Sequence, residues 1–175
     1  MKKALICILF LFILVSCNGS SKIVDIPISK THCVYTMIHP DAEDDKKWEE
    51  NLVIEHQGKE ILFVTYTYTD LINLENAKEE ISEFAESVYL FTEIEGIEID
   101  VDSEEYDDDY QKFIYYLKVD LKNLDFDALE ELEYRLNMGL SVEVYRGLKL
   151  SDYIISMEED GWECEKYSLN KMREL

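Results

Sequence analysis

The segment LVIEHQGKEILFVTYTYT, residues 52–69, contains two apolar-rich stretches separated by a short polar turn. Residues 52–55 and 60–69 predict two antiparallel strands, and Gly58 can supply the positive φ that a tight hairpin at 56–59 requires. The second strand is long, and its side chains alternate between two faces, as expected of a central antiparallel strand. One face carries Leu62, Val64, Tyr66 and Tyr68, and the other carries Ile61, Phe63, Thr65, Thr67 and Thr69.

The residues before and after this hairpin predict a further strand and a helix. Residues 32–38 are rich in β-branched side chains and tyrosine, which favours a first strand that Pro40 ends. Asn73 is placed to cap a helix whose apolar residues recur at three- and four-residue spacing. These apolar residues are Leu74, Ala77, Ile81, Phe84, Ala85 and Val88.

The following part of the chain predicts a second hairpin and a short helix. Strands at 97–101 and 113–121 flank the acidic loop 104–109, because apolar and polar residues alternate in both. Asp125 is placed to cap a short helix. Its expected inward residues are Phe126, Leu129, Leu132 and Leu136.

The C-terminal part predicts a brief strand, a helix and a closing strand. Val142 and Val144 suggest the brief strand, and Ser151 is placed to cap a helix over 152–160. Gly161 follows the expected helix end, and the closing strand is expected at 162–167.

Hairpins and segregated helices, rather than regular strand–helix–strand repeats, predict an α+β fold. We expect an antiparallel β-sheet built from hairpins, with two to three helices packed against it. A single domain is expected over 31–168, because this length suits one hydrophobic core and is short for a two-lobed solute receptor. Residues 169–175 form an expected polar tail.

The N-terminal segment MKKALICILFLFILVSC predicts export and lipidation. Its apolar run, 4–15, is shorter than the ~20 residues that a membrane-spanning helix needs, and it fits a signal peptide. The end of the run, LVSC at 14–17, resembles the bacterial lipobox. We therefore expect a lipoprotein signal peptide at 1–16, lipidation of Cys17, and a flexible tether at 17–30. The alternative is that this cysteine merely follows an ordinary cleavage site.

Lipidation would hold the protein on the cell membrane or the outer membrane, outside the cytoplasm. The formal net charge is −22 at pH 7, yet 47% of the residues are apolar and 12 are tyrosine, so the chain can bury a core. Nucleic acid is excluded as a partner, because phosphate binding needs a basic face. The expected partners are the membrane, through the lipid anchor, and a cationic or protein partner in the envelope.

Two cysteines remain after the leader and the lipidated residue are set aside. Cys33 lies in the expected first strand and Cys164 in the expected last strand, so we predict that they lie on neighbouring strands and can form a disulfide. Two separately buried free thiols are the alternative in a cell that does not drive oxidation.

Several short motifs resemble the YehR-like bacterial lipoproteins. They are the arm from Gly58 to Tyr68 that ends Thr-Tyr-Thr-Tyr, Val119-Asp120, Leu124-Asp125-Phe126, Gly147-Leu148-Lys149-Leu150-Ser151, Met157 and Gly161-Trp162. The resemblance covers roughly 53–166. Trp162 stands where the family more often has phenylalanine, and the acidic insertions 41–45 and 104–109 depart from the family pattern. The resemblance implies a small α+β lipoprotein without an assigned activity, and it supplies no catalytic residue.

An acidic cluster is the strongest candidate for a metal site. Its carboxylates belong to Asp100, Asp102, Glu104, Asp107 and Asp109, and carboxylate oxygens suit Ca²⁺. The spacing disagrees with an EF-hand, because Glu105 occupies the glycine position and Gln111 the final ligand position. A solvated hairpin loop is therefore the preferred interpretation, and no cofactor is expected. The spacing of His32, His39 and His56 does not suit zinc.

The tyrosines of two expected strands form a second candidate set. Tyr66, Tyr68, Tyr115 and Tyr116 could line a groove for a carbohydrate or a peptide, although aromatic pairs across strands more often serve packing. The sequence contains no nucleophile elbow and no phosphate-binding glycine loop. We therefore expect an acidic binding module without catalysis. The alternatives are an envelope hydrolase that uses unrecognised carboxylates, or a small lipoprotein that binds a solute or a cation.

Overall fold

A computed structural model describes residues 26–38 and 47–167 of the protein. The expected signal peptide, Cys17, most of the expected tether, the acidic residues 41–45 and the expected polar tail lie outside the described residues. The described elements are β1 (Ile28–Ile38), β2 (Lys47–Gln57), β3 (Glu60–Asn73), α1 (Leu74–Val88), a 3₁₀ helix (Tyr89–Glu93), β4 (Ile97–Glu105), β5 (Tyr110–Asp120), α2 (Phe126–Leu136), α3 (Leu150–Glu159) and β6 (Glu163–Tyr167).

The strands form one six-stranded sheet in the order β4-β5-β3-β2-β1-β6. Every neighbouring pair is antiparallel, and the three helices pack against the sheet. The predicted α+β fold is thus confirmed. The long strand β3 lies in the interior of the sheet between β5 and β2, as its alternating pattern predicted.

The β2–β3 hairpin turns at Gly58, whose φ of 64° confirms the predicted left-handed conformation. The predicted faces of β3 were wrong at two adjacent residues, Ile61 and Leu62. Phe63 lies opposite Glu55 and Ile61 lies opposite His56, so one extra residue, Leu62, bulges from the ladder. Ile61 is therefore buried in the core with 5% exposure, in place of its neighbour.

The sheet has one face against the helices, which we call the covered face. Alternate residues of β5 on this face are buried, and Phe84 of α1 packs edge-on against Phe113 and Tyr115 with ring centroids 5.2 and 5.1 Å apart. These residues belong to one core cluster with Leu129 and Leu132 of α2 and Tyr153 of α3. The three helices thus share a single hydrophobic core with one side of the sheet.

Two of the three predicted helix starts are confirmed. The side chain of Asn73 accepts the backbone N–H of Glu75, and the carboxylate of Asp125 accepts two N–H groups of α2. The predicted cap of α3 was wrong, because that helix begins at Leu150 and its N-cap residue is Lys149. The side chain of Leu150 is buried, and this burial places the residue in the first turn of α3.

Other boundaries also differ from the sequence prediction, and one predicted strand is wrong. β1 begins at Ile28 rather than at residue 32, so residues 28–30 of the predicted tether are paired in the sheet, where Lys30 bonds Glu55 across the ladder. β2 begins at Lys47 rather than at residue 52. The strand predicted at Val142 and Val144 was wrong, because this segment is irregular and places the first valine in the core.

Candidate binding surface

The second face of the sheet carries none of the helices of the described chain, and we call it the open face. Directly opposed residues of an antiparallel ladder point to the same face, so the register assigns its members. The members whose side chains the structure describes are Lys30, His32, Val34 and Thr36 of β1; Glu49, Asn51, Val53 and Glu55 of β2; Phe63, Thr65, Thr67, Thr69 and Leu71 of β3; Glu98, Asp100, Asp102 and Glu104 of β4; Lys112, Ile114, Tyr116, Lys118 and Asp120 of β5; and Glu163 and Glu165 of β6.

The centre of the open face is a patch of threonine and apolar side chains. Thr67 lies between Tyr116 on one neighbouring strand and Asn51 on the other. Thr65 of β3 lies opposite Val53 of β2. We call Thr65, Thr67, Val53 and Tyr116 the threonine patch. These side chains are half-buried by one another and take no part in the core cluster. The patch therefore offers hydroxyl and methyl groups on a rigid, hydrogen-bonded backbone.

Three lysines of the open face, Lys30, Lys112 and Lys118, are each bound to a carboxylate on a neighbouring strand. The Nζ–Oε distances are 2.7 Å for Lys30–Glu55, 2.6 Å for Lys112–Glu104 and 3.1 Å for Lys118–Glu98. The hydrogen bond to Glu98 raises the pKa of Lys118, so this ammonium stays charged.

Carboxylates at the two margins of the open face have no such partner. Asp100 and Asp102 on β4, and Glu163 and Glu165 on β6, are exposed and form no ion pair with any described residue. The open face therefore combines a neutral centre with an excess of negative charge at both sides.

A short hydrogen-bond chain fixes the polar groups near β1. His32 Nε2 lies 3.1 Å from Asn51 Oδ1, and Asn51 Nδ2 donates to Glu49 Oε1 over 2.6 Å. Because the amide oxygen can only accept, the imidazole donates through its Nε2–H. The chain holds the amide of Asn51 in one orientation beside the threonine patch.

The predicted tyrosine set is divided between the two faces. Tyr66, Tyr68 and Tyr115 lie on the covered face, with 6.0 Å between the ring centroids of the first and last, whereas Tyr116 lies on the open face. A single groove lined by all four residues is therefore wrong. The packing interpretation fits the three covered tyrosines.

Two of the covered tyrosines bind carboxylates. The hydroxyl of Tyr66 donates to Glu50 over 2.9 Å, and that of Tyr68 donates to Asp70 over 2.7 Å. Burial, and then these carboxylates, raise the pKa of both phenols well above the usual value of 10.0. Both tyrosines therefore remain neutral donors that hold the carboxylates in place.

The residues of the candidate calcium site do not converge. Asp107 Oδ1 accepts the backbone N–H groups of Asp109 and Tyr110, and Glu104 is bound to Lys112. Within the described chain, no group of three or more histidine, cysteine or acidic side chains could hold a metal ion. Asp107 thus shapes the β4–β5 turn, and Asp100 and Asp102 belong to the margin of the open face.

The structure places Cys33 directly opposite Cys164 in the β1–β6 ladder, with Cα atoms 4.0 Å apart and a disulfide between them. The two cysteines thus lie on neighbouring strands, the first and the last. They are 131 residues apart in sequence, so the bond joins the two ends of the described domain.

The described histidines, His32 and His56, make hydrogen bonds within the sheet and are not arranged to bind a metal ion together. His56 is nearly buried, and its ring nitrogens contact the hydroxyl of Thr31 at 3.4 Å and the carbonyl oxygen of Gly58 at 3.1 Å. His39 lies outside the described residues.

A cleft of about 450 Å³ lies between α2 and the segment that follows it, lined in part by Glu130, Glu133 and Arg146. Glu133 Oε1 accepts the backbone N–H of Leu140 over 3.1 Å, so this carboxylate helps to hold the segment that follows α2.

Sequence reasoning assigned outward residues to single strands but did not assemble the open face. The signal that could have identified it is the run of threonines at every second position of β3, since these residues are polar where a doubly covered central strand would be apolar. Joining them to the outward residues of β2 and β5 requires the strand order, which the sequence alone does not provide.

Comparison with known proteins adds a structural neighbour. No family model and no curated protein matches the chain. A solved structure described as "NMR structure of the protein from Streptococcus pneumoniae TIGR4" is similar in fold, with a TM-score of 0.51 and 15% sequence identity over 79% of this chain and 86% of that chain. At this identity the likeness concerns the fold alone. No helix in the described part of the chain has the length and hydrophobicity needed to cross a bilayer.

Proposed function

We propose that this protein is an extracytoplasmic lipoprotein of the YehR-like type, anchored to the membrane, that binds rather than catalyses. Its open face binds a cationic segment of a protein partner. The observation that carries the proposal is the charge arrangement of that face. Lys30, Lys112 and Lys118 are each bound to a carboxylate, whereas Asp100, Asp102, Glu163 and Glu165 form no ion pair with any described residue.

Electrostatics favour a basic partner over an acidic or neutral one. The net charge of −22 raises the local concentration of cationic molecules and speeds their encounter with the protein. The central patch then supplies short-range contacts, because the ring of Tyr116 and the threonine methyl groups can pack against the stems of lysine or arginine. Charge thus selects the partner class, and the patch provides the contact area.

The lipid anchor gives the binding surface its location. The signal-peptide pattern and the lipobox-like end at Cys17 support a lipid anchor in the cell membrane or the outer membrane, with the domain outside the cytoplasm. Anionic headgroups repel a protein of this charge, so the open face stays available for a partner in the envelope.

Lipidation is tested by Cys17→Ser in the full chain. Metabolic labelling with a fatty-acid analogue should mark the wild-type protein and leave the variant unlabelled, because the diacylglycerol is attached through the cysteine sulfur. Membrane retention should fall as well, since each buried methylene contributes ~0.8 kcal/mol to anchoring. Label that persists in the variant would disprove lipidation at this residue.

Binding through the open face is tested by photo-crosslinking in intact membranes. A photoreactive residue replaces Thr67 in the centre of the open face, and in a matched control it replaces the exposed Glu131 on α2. The proposal predicts a discrete crosslinked protein at the first position that weakens as salt is raised. Equal crosslinking at both positions, or a product that is insensitive to salt, would contradict it.

A further inference from the structure

The outer edge of β4 is a second exposed feature of the sheet, beside its open face. This strand lies at the margin of the sheet and pairs only with β5 among the described strands. It covers Ile97–Glu105, whereas the strand at the other margin, β6, covers only Glu163–Tyr167 and is tied to β1 by the disulfide. β4 is therefore the longer strand edge that the described sheet leaves unpaired.

The hydrogen-bond register shows which backbone groups of β4 point outward. The N–H of Asp120 donates to the carbonyl of Gly96 over 2.8 Å, so the even-numbered residues of β4 bond with β5. In an antiparallel ladder the residues between them direct N–H and C=O away from the partner strand. The odd-numbered residues of β4 thus face the outside of the sheet.

Two of these outward N–H groups are already satisfied within the chain. The N–H of Ile97 donates to Ile94, and that of Ser103 donates to the carboxylate of Asp102. The outward N–H and C=O groups of Ile99 and Val101 have no partner among the described residues. They form a short site of two donors and two acceptors at the middle of the edge.

The acidic side chains beside this site fall into two groups, those bound to a lysine of β5 and those without such a lysine. Glu98 and Glu104 are bound to Lys118 and Lys112 of β5, whereas Asp100 and Asp102 between them form no ion pair with any described residue. These two carboxylates, which have no described cation, flank the outward backbone groups of Val101. Unpaired charge and unpaired backbone therefore coincide at one place on the edge.

Resting on the proposed function, we propose that β4 accepts an extended cationic segment of the partner as a seventh strand of the sheet. The backbone of that segment would bond with Ile99 and Val101, and its lysine or arginine side chains at two alternate positions would lie next to Asp100 and Asp102. Strand addition of this kind takes affinity from main-chain hydrogen bonds and specificity from alternate side chains.

A second copy of this chain is a poor occupant of the same edge. Pairing two β4 strands would place rows of carboxylates directly beside each other, and like charges across a ladder are destabilising. The acidic edge thus discourages self-pairing and favours a basic strand.

The test uses the full chain in detergent and a nine-residue peptide with lysine at alternate positions and valine or threonine between them. Fluorescence anisotropy measures its affinity. The same peptide with every backbone nitrogen methylated keeps the charges but loses the N–H donors, and it should bind at least about tenfold more weakly, a difference of ~1.4 kcal/mol.

Two double variants of the protein separate the edge from the general charge. Asp100→Asn with Asp102→Asn should weaken binding of the unmethylated peptide about tenfold, while the matched control Glu163→Gln with Glu165→Gln should weaken it by less than about threefold. All four residues are exposed, so neither double variant removes a core contact.

The outcomes distinguish this inference from the function on which it rests. Equal loss in both double variants, together with equal binding of the methylated peptide, would overturn strand addition and leave binding by the open face intact. Failure of every cationic peptide to bind at low salt would overturn both.

Discussion

The two faces of the sheet are built from the same strands but differ in burial and in charge. Leu117 and Tyr116 are adjacent on β5, yet the first is fully buried against the core and the second is half-exposed on the open face. The covered face has the helices, the aromatic packing and the disulfide, while the open face has the free carboxylates. Because one face supplies the stability, the other can hold threonines and unpaired charge without threatening the fold.

The largest expected difference between the faces concerns the disulfide. Replacing Cys33 and Cys164 by alanine opens a loop of 131 residues and should lower the free energy of unfolding by up to about 5 kcal/mol in the chain-entropy model. This is comparable to the whole stability of a small domain. Urea unfolding without reductant measures the change.

Glu165→Gln is the matched control for this substitution, because it lies on the same strand but on the open face. It should alter the free energy of unfolding by less than about 0.5 kcal/mol. An unchanged urea midpoint in the cysteine variant, or two free thiols in protein purified without reductant, would contradict a disulfide-stabilised covered face.

Removal of one core side chain should have the next largest effect. Leu117→Ala leaves a cavity in the fully buried core and should cost about 3 kcal/mol, within the usual range for such substitutions. Thr67→Ala on the open face should cost less than about 1 kcal/mol. Equal losses from the two variants in urea unfolding would mean that the open face also supports the core.

Alkaline pH should weaken the covered face further. Burial raises the pKa of Tyr66, Tyr68, Tyr115 and Tyr153 above the usual value of 10.0. Above pH ~10 the unfolded chain therefore loses phenol protons that the folded chain keeps, so stability is complete below this pH and falls as pH rises. Urea unfolding at pH 8 and pH 11 should show the decrease.

Tyr153→Phe offers a direct check of the alkaline effect. This tyrosine is 2% exposed, and its hydroxyl has no hydrogen-bond partner among the described residues. Its removal should leave stability at pH 8 unchanged or slightly higher and should reduce the loss at pH 11. An identical alkaline loss in the variant and the wild type would show that this phenol does not contribute.

The smallest expected effect is that of calcium. Because Asp107 binds backbone N–H groups and Glu104 binds Lys112, millimolar Ca²⁺ should raise the melting temperature by less than about 1 °C. Differential scanning calorimetry with and without chelator measures the shift. A larger rise in melting temperature that disappears in Asp107→Asn with Asp109→Asn would instead support a calcium site at this loop.

The sequence predicted those parts of the fold that depend on local chemistry. The caps at Asn73 and Asp125 and the turn at Gly58 follow from single side chains, and each is confirmed. The neighbouring position of Cys33 and Cys164 followed from a simple argument about the first and last strands.

The remaining differences depend on contacts that are distant in sequence. The bulge at Leu62 exists only because β2 and β3 change register, and the start of α3 at Leu150 depends on burial of that residue. The open face needs five strand pairings at once, so periodicity within one strand could not assemble it. Local sequence patterns therefore predicted most helices and strands, whereas the open face depends on how distant strands pair.

Binding through the open face is tested most directly by amide NMR of the full chain titrated with the alternating lysine peptide. The largest shifts should fall on the β4 edge and the threonine patch, around Val101, Thr67 and Tyr116, and they should shrink as salt is raised. Shifts concentrated instead at the α2 cleft, around Tyr145 and Arg146, would contradict the open face as the binding surface.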